Sequence, residues 1–100
     1  MIRHIVSWKL SAEDAATRES DAAAITAGLA SLPAVIPEIL ELHVGRNVAP
    51  YPDNFDLVLI ADYESLEALE AYQVHPEHVR VATEIVRPRV SARSNVDFEL

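Results

Sequence analysis

Apolar residues fall in seven segments whose spacing takes only two forms, and the order of those forms admits few folds. Ile2, His4, Val6, Trp8 and Leu10 alternate with Arg3, Ile5, Ser7 and Lys9, the period of two of a strand with one face on a core. Ala15, Ala22, Ile25, Leu29 and Leu32 then recur at helical steps until Pro33, with Ser11 and Asp14 read as an N-cap pair. Gly28 within that helix marks a place for close backbone approach. Leu40, Leu42 and Val44 return to period two. Asn47 to Asn54, carrying Pro50 and Pro52, is a loop, because proline cannot continue a central ladder.

Phe55 to Tyr63 is a third strand, with Phe55, Leu57, Leu59 and Ala61 on one side and Val58 and Ile60 on the other, so it needs two covers. Ser65 caps a second helix bearing Leu66, Leu69 and Tyr72, which ends near His75 because Pro76 disfavours helical geometry in the residue before it. Pro76 suits the first turn of a further helical segment, His78 to Val86, closed by Pro88. Val90 to Leu100 is the last strand, with Val96, Phe98 and Leu100 on one side.

Strand, helix, strand, strand, helix, strand is a split βαβ pair. Right-handed crossovers fold it into a ferredoxin-like α+β sandwich, a four-stranded antiparallel sheet with helices on one face. The uncovered face is expected to be apolar at Val58 and Ile60. Such a face predicts a homodimer packed sheet to sheet.

At 100 residues with 50% apolar content, the chain predicts a single domain over residues 1–100. A formal charge of −8 argues against nucleic acid or an anionic membrane as partner. With no cysteine there is no disulfide framework, thiolate metal site or thiol nucleophile. Ile2 to Leu10, broken by Arg3, His4 and Lys9, is neither a signal-peptide core nor a membrane span, so a soluble, cytoplasmic protein is expected.

Three residues carry the candidate chemistry. His78 is a base of near-neutral pKa, Tyr72 a phenol able to hydrogen-bond a developing enolate oxygen, and Pro76 bends the chain so that the two converge. His4 lies on the apolar face of strand one and joins them at a pocket mouth. The competing reading makes all three structural: Tyr72 packed on Leu69 with its hydroxyl at the surface, His78 satisfying a backbone group at a helix start and His4 a core histidine hydrogen-bonded to the backbone. Trp8 is core or pocket floor, and His43 belongs to the outer, dimer face. His75-Pro76-Glu77-His78 makes a poor metal site because the proline breaks the shared helical face, and neither metal nor cofactor is called for. Arg87, Arg89 and Arg93 are the one basic cluster, explained by salt bridges and a helix C-terminus or by a carboxylate substrate.

Several stretches resemble the stress-responsive dimeric α/β-barrel (Dabb) family. They are Met1-Ile2-Arg3-His4-Ile5-Val6, Val44-Gly45-Arg46-Asn47, Phe55-Asp56-Leu57, Glu70-Ala71-Tyr72-Gln73-Val74-His75-Pro76-Glu77-His78-Val79 and Val96-Asp97-Phe98-Glu99. The resemblance implies the ferredoxin-like fold and a dimeric α/β barrel. The family includes plant stress proteins, bacterial members of no known activity and a plant polyketide cyclase. In the cyclase the tyrosine and last histidine of Ala-Tyr-x-x-His-Pro-x-His close an aldol ring, and they correspond to Tyr72 and His78 here. Its strand-one pocket histidine corresponds to His4, while a further pocket histidine falls at Leu57, so that part of the polar pocket is absent. Two functions follow as expectations. One is a pocket for a small hydrophobic, carbonyl-bearing molecule, with cofactor-free cyclase, lyase or isomerase chemistry at His78, Tyr72 and His4. The other is a non-catalytic stress or assembly protein whose role is the stable dimer.

Overall fold

The computed structural model describes all 100 residues. Strands β1 (Ile2–Leu10), β2 (Glu41–Arg46), β3 (Leu57–Tyr63) and β4 (Val90–Glu99) form one sheet in the order β2-β3-β1-β4. All three pairings are antiparallel. Helices α1 (Ala15–Ala30), α2 (Leu66–Val74) and α3 (Pro76–Arg80) join the strands, and α3 runs on through a π-helical turn, Val81–Val86, and a 3-10 turn, Arg87–Arg89. This is the ferredoxin-like α+β sandwich expected from the alternation of periods.

The alternation in β1 is expressed residue by residue: Ile2, His4, Val6, Trp8 and Leu10 are all buried, and their neighbours only half so. Pairing in register sets Val6 beside Leu59 and His4 beside Ala61, so β3 turns the same parity toward the helices. Ala22, Ile25 and Leu29 of α1 close over that face. A Cβ at Gly28 would lie 3.1 Å from Ile85 Cδ1 and 3.3 Å from Val81 Cγ1, so its hydrogen is what lets the π turn approach α1.

Three boundaries differ from expectation. Asp14 alone caps α1, accepting from Thr17 N at 2.9 Å, while Ser11 N–H donates to Arg89 O at 2.9 Å and ties the chain to the 3-10 turn before β4. The β3 ladder starts at Leu57 rather than Phe55. Asp56 just before it is a junction, its carboxylate accepting from Leu10 N at 2.8 Å and from Arg18 at 2.6 Å. The helical segment after His75 begins at Pro76, the first-turn position proline favours, and reaches Arg89.

The other sheet face has no layer over it. The register places Ile5, Val58, Ile60, Val96 and Phe98 there, with His43 opposite Ile60. Val96 is 61% exposed and Phe98 41%. At one end Arg3 forks onto its cross-strand partner Asp62 with bonds of 2.9 and 3.0 Å, which holds the Asp62 carboxyl below its ordinary range.

Ile25, fully buried beneath α1, tests the core. Ile25→Ala is expected to lower the unfolding free energy by about 2–5 kcal/mol, read as a reduced denaturant midpoint at unchanged slope.

Candidate active site

Pro76 organises the site. His75, directly before it, is extended at φ −61° and ψ 134°, ends α2 and caps α3, its Nδ1 accepting from Glu77 N at 3.1 Å. The chain therefore turns sharply, and His78 comes back over the last turn of α2. Its Nδ1 donates to the Gln73 carbonyl at 2.9 Å, one of the carbonyls that the end of a helix leaves free. That bond fixes the tautomer of the neutral ring and leaves Nε2 as a lone-pair acceptor. The ring lies 4.3 Å from that of Tyr72, centroid to centroid.

Beneath this pair sits His4, 2% exposed, with its ring 6.1 Å from Tyr72 and 6.2 Å from Tyr63. Its cross-strand partner in β4 is Asp97, which takes a short hydrogen bond from His4 Nδ1. Asn95 Nδ2 donates to Asp97 Oδ1 at 3.2 Å and to Ile5 O at 3.1 Å, so the carboxylate is itself held in place. Tyr63 packs 5.0 Å from Tyr72, and its buried hydroxyl has no hydrogen-bond partner.

These side chains open on one cavity of about 510 Å³ between the sheet and the helical layer. His4, Tyr72 and His78 line it together with Trp8, Leu59 and Val86, and Arg87 and Arg93 also border it. Trp8 is thus both core and pocket wall. Tyr72, 1% exposed, is pushed up to about 12 by burial and remains a phenol, hence a donor, at neutral pH. Burial likewise drives His78 below its ordinary value, against the bond to Gln73, while His4, Arg93 and His75 push it down further. An uncharged imidazole acceptor beside a phenol donor can take a proton from carbon or oxygen while a neighbouring oxygen is stabilised.

Across residues 2–100 the sequence matches the stress responsive A/B barrel domain. The chain belongs to that family. The stress-response A/B barrel domain-containing protein DABB1 of Arabidopsis thaliana is 31% identical over 87 residues, covering 84% of this chain; the chain spans 40% of that relative. A dimeric protein of unknown function and ferredoxin-like fold from Bacteroides fragilis superposes with a TM-score of 0.89 at 27% identity, over 99% of this chain and 95% of its own. The hydroxynitrile lyase of Passiflora edulis shares the fold at a TM-score of 0.79 and 19% identity, over 97% of this chain and 90% of its own.

In this A/B barrel domain the structure brings His4, Tyr72 and His78 to one cavity. Of the reading that made them structural, His78 does bond the backbone, but at the end of α2 rather than at a helix start; His4 is buried and hydrogen-bonded, but to Asp97 rather than to the backbone; and Tyr72 is buried rather than at the surface. Sequence reasoning missed Asp97, Asn95 and Tyr63. A signal for the first two was present: once Val96 and Phe98 face outward, Asn95 and Asp97 must share the helix side with His4. His75 and His78 do not share a face, one capping a helix and the other lining the cavity.

Because the folded-state pKa of His78 lies below 6.5, the neutral ring's contribution to stability is complete above pH 6.5 and is lost as pH falls from there toward the folded value. NMR titration is expected to show His78 as a depressed midpoint, with stability declining over the same range. The His78→Gln variant should lose that part of the pH dependence.

Proposed function

We propose that two copies of this A/B barrel domain pair through the open sheet face, and that each cavity takes a small hydrophobic carbonyl compound for cofactor-free proton transfer in the cytoplasm. The observation that carries this reading is the 4.3 Å approach of the Tyr72 and His78 rings on the wall of a cavity they share with His4. A purely structural role would call for a filled interior, whereas about 510 Å³ lies within the range of small-molecule sites.

In the proposed step His78 Nε2 takes a proton from the carbon next to a carbonyl. The electron pair moves onto the carbonyl oxygen, and that oxygen accepts a hydrogen bond from the Tyr72 hydroxyl. The enolate then attacks a second carbonyl of the same molecule, as in a cyclase, or recovers the proton elsewhere, as in an isomerase. Run on a hydroxyl instead of a carbon, the same base expels a neighbouring carbanion, which is lyase chemistry. The hydroxynitrile lyase of Passiflora edulis, built on this fold, supports the last variant as compatible with the scaffold. His4, oriented by Asp97, supplies a second polar edge.

Deuterium exchange at the methyl carbon of acetophenone, followed by NMR, tests the chemistry directly. The protein should accelerate exchange over buffer, and His78→Ala should remove about 100-fold or more of that acceleration while Tyr72→Phe removes less. Equal rates for the wild type and a folded His78→Ala protein would refute the base.

Pairing is supported by the apolar outer face and by the dimeric Bacteroides fragilis protein of the same fold. Phe98→Asp places a charge in that face and is expected to convert the dimer into a folded monomer in sedimentation velocity. A sedimentation coefficient unchanged by the substitution would put the interface elsewhere.

A further inference from the structure

The chain's cations are almost all spoken for. Of its eight Lys and Arg residues, Arg3, Arg18, Arg46, Arg80 and Arg89 each meet a carboxylate within 4 Å, and Lys9 lies 5.3 Å over the Phe55 ring. Two arginines remain, Arg87 and Arg93, and both line the cavity. They come from different elements, Arg87 from the 3-10 turn and Arg93 from the helix-facing side of β4 beside Trp8. Both are exposed, and Arg93 lies near enough to Tyr72 and His78 for its charge to act on both.

In a chain with 16 Asp and Glu residues and a net charge of −8, this is a pointed exception. None of those carboxylates lines the cavity. Asp97, behind His4, is taken up by that ring and by Asn95. The mouth is therefore a small positive field on an acidic surface, ahead of a mostly apolar interior. Two guanidinium forks suit a planar, two-oxygen anion. Carboxylates at these two positions would have served solubility equally well, but they would have repelled such a ligand from this opening.

We propose that the occupant of the cavity is a carboxylic acid with an apolar body, its carboxylate held at the rim by Arg87 and Arg93 and its carbonyl end directed toward Tyr72 and His78. This rests on the cavity reading above and adds the anionic group to it. The two arginines position substrate and take no part in proton transfer. Anchoring at the rim would leave the reacting carbon at the sheltered end, where His78 is kept neutral.

Phenylacetate and phenylacetamide separate the two ideas, being alike in shape and differing in charge. Binding is followed by calorimetry and by chemical-shift changes at Tyr72 and His78. The wild type should bind phenylacetate about tenfold or more tightly than the amide, with the difference shrinking as salt is raised. In the Arg87→Gln/Arg93→Gln protein the acid should fall to the affinity of the amide, and the amide should be unchanged. Equal affinities in the wild type would overturn the carboxylate proposal and leave the cavity reading intact. A preference that survives the double substitution would also overturn it, by placing the anion elsewhere. Failure of both probes to bind or to shift Tyr72 and His78 would remove the proposal and the cavity reading together.

Discussion

The site depends on one covalent fact, the ring of Pro76. A helix continuing from α2 would carry residue 78 around the cylinder and away from residue 72. Proline instead holds His75 extended and starts a new helix, with Pro76 in the first turn where its missing N–H costs nothing. The carbonyl of Gln73, unpaired at the end of α2, is then within reach of His78, and a single hydrogen bond selects the tautomer that leaves Nε2 free. Local backbone chemistry thus places His78 and orients it, and burial holds it toward the neutral form against the bond to Gln73.

The second constraint is the parity of β4. The strand lies at the edge of the sheet, paired only with β1; Val90 and Ala92 at its start line the cavity, but past them its apolar residues, Val96 and Phe98, lie on the face away from the helices. Its inward parity is therefore polar: Arg93, Asn95 and Asp97 are all on the helix side. In most two-layer sandwiches such residues would sit over a core. Here Arg93 lines the cavity, while Asp97 and Asn95 stand behind His4 and hold it, so polarity that would be unfavourable in packing becomes the means of orienting that ring. The same parity leaves Val96 and Phe98 for a second sheet, so pairing and site construction follow from one alternation.

Much of this was readable in the sequence because it is local. The period of Ile2 to Leu10, the stop at His75-Pro76 and the prolines of the Asn47 to Asn54 loop each act over a few residues, and the elements they predict are present. Convergence of Tyr72 and His78 was legible for the same reason, a six-residue spacing around a proline. The parts that escaped depend on distant pairings. Asp97 is 93 residues from His4, and only the β1–β4 register makes them partners. Asp14 is the cap and Ser11 is not, because α1 begins at Ala15 and Ser11, its amide bonded to the distant Arg89 carbonyl, lies four residues before that start. The π turn opposite Gly28 likewise belongs to packing between segments more than 50 residues apart, for which no short motif exists.

The central claim is that a neutral imidazole and a phenol face the same sheltered ligand. A crystal structure of the protein with acetophenone bound tests it most directly. The account predicts the ketone oxygen within hydrogen-bonding distance of the Tyr72 hydroxyl and the methyl carbon facing His78 Nε2. Acetophenone bound away from these rings, or a cavity closed by the surrounding side chains, would contradict it.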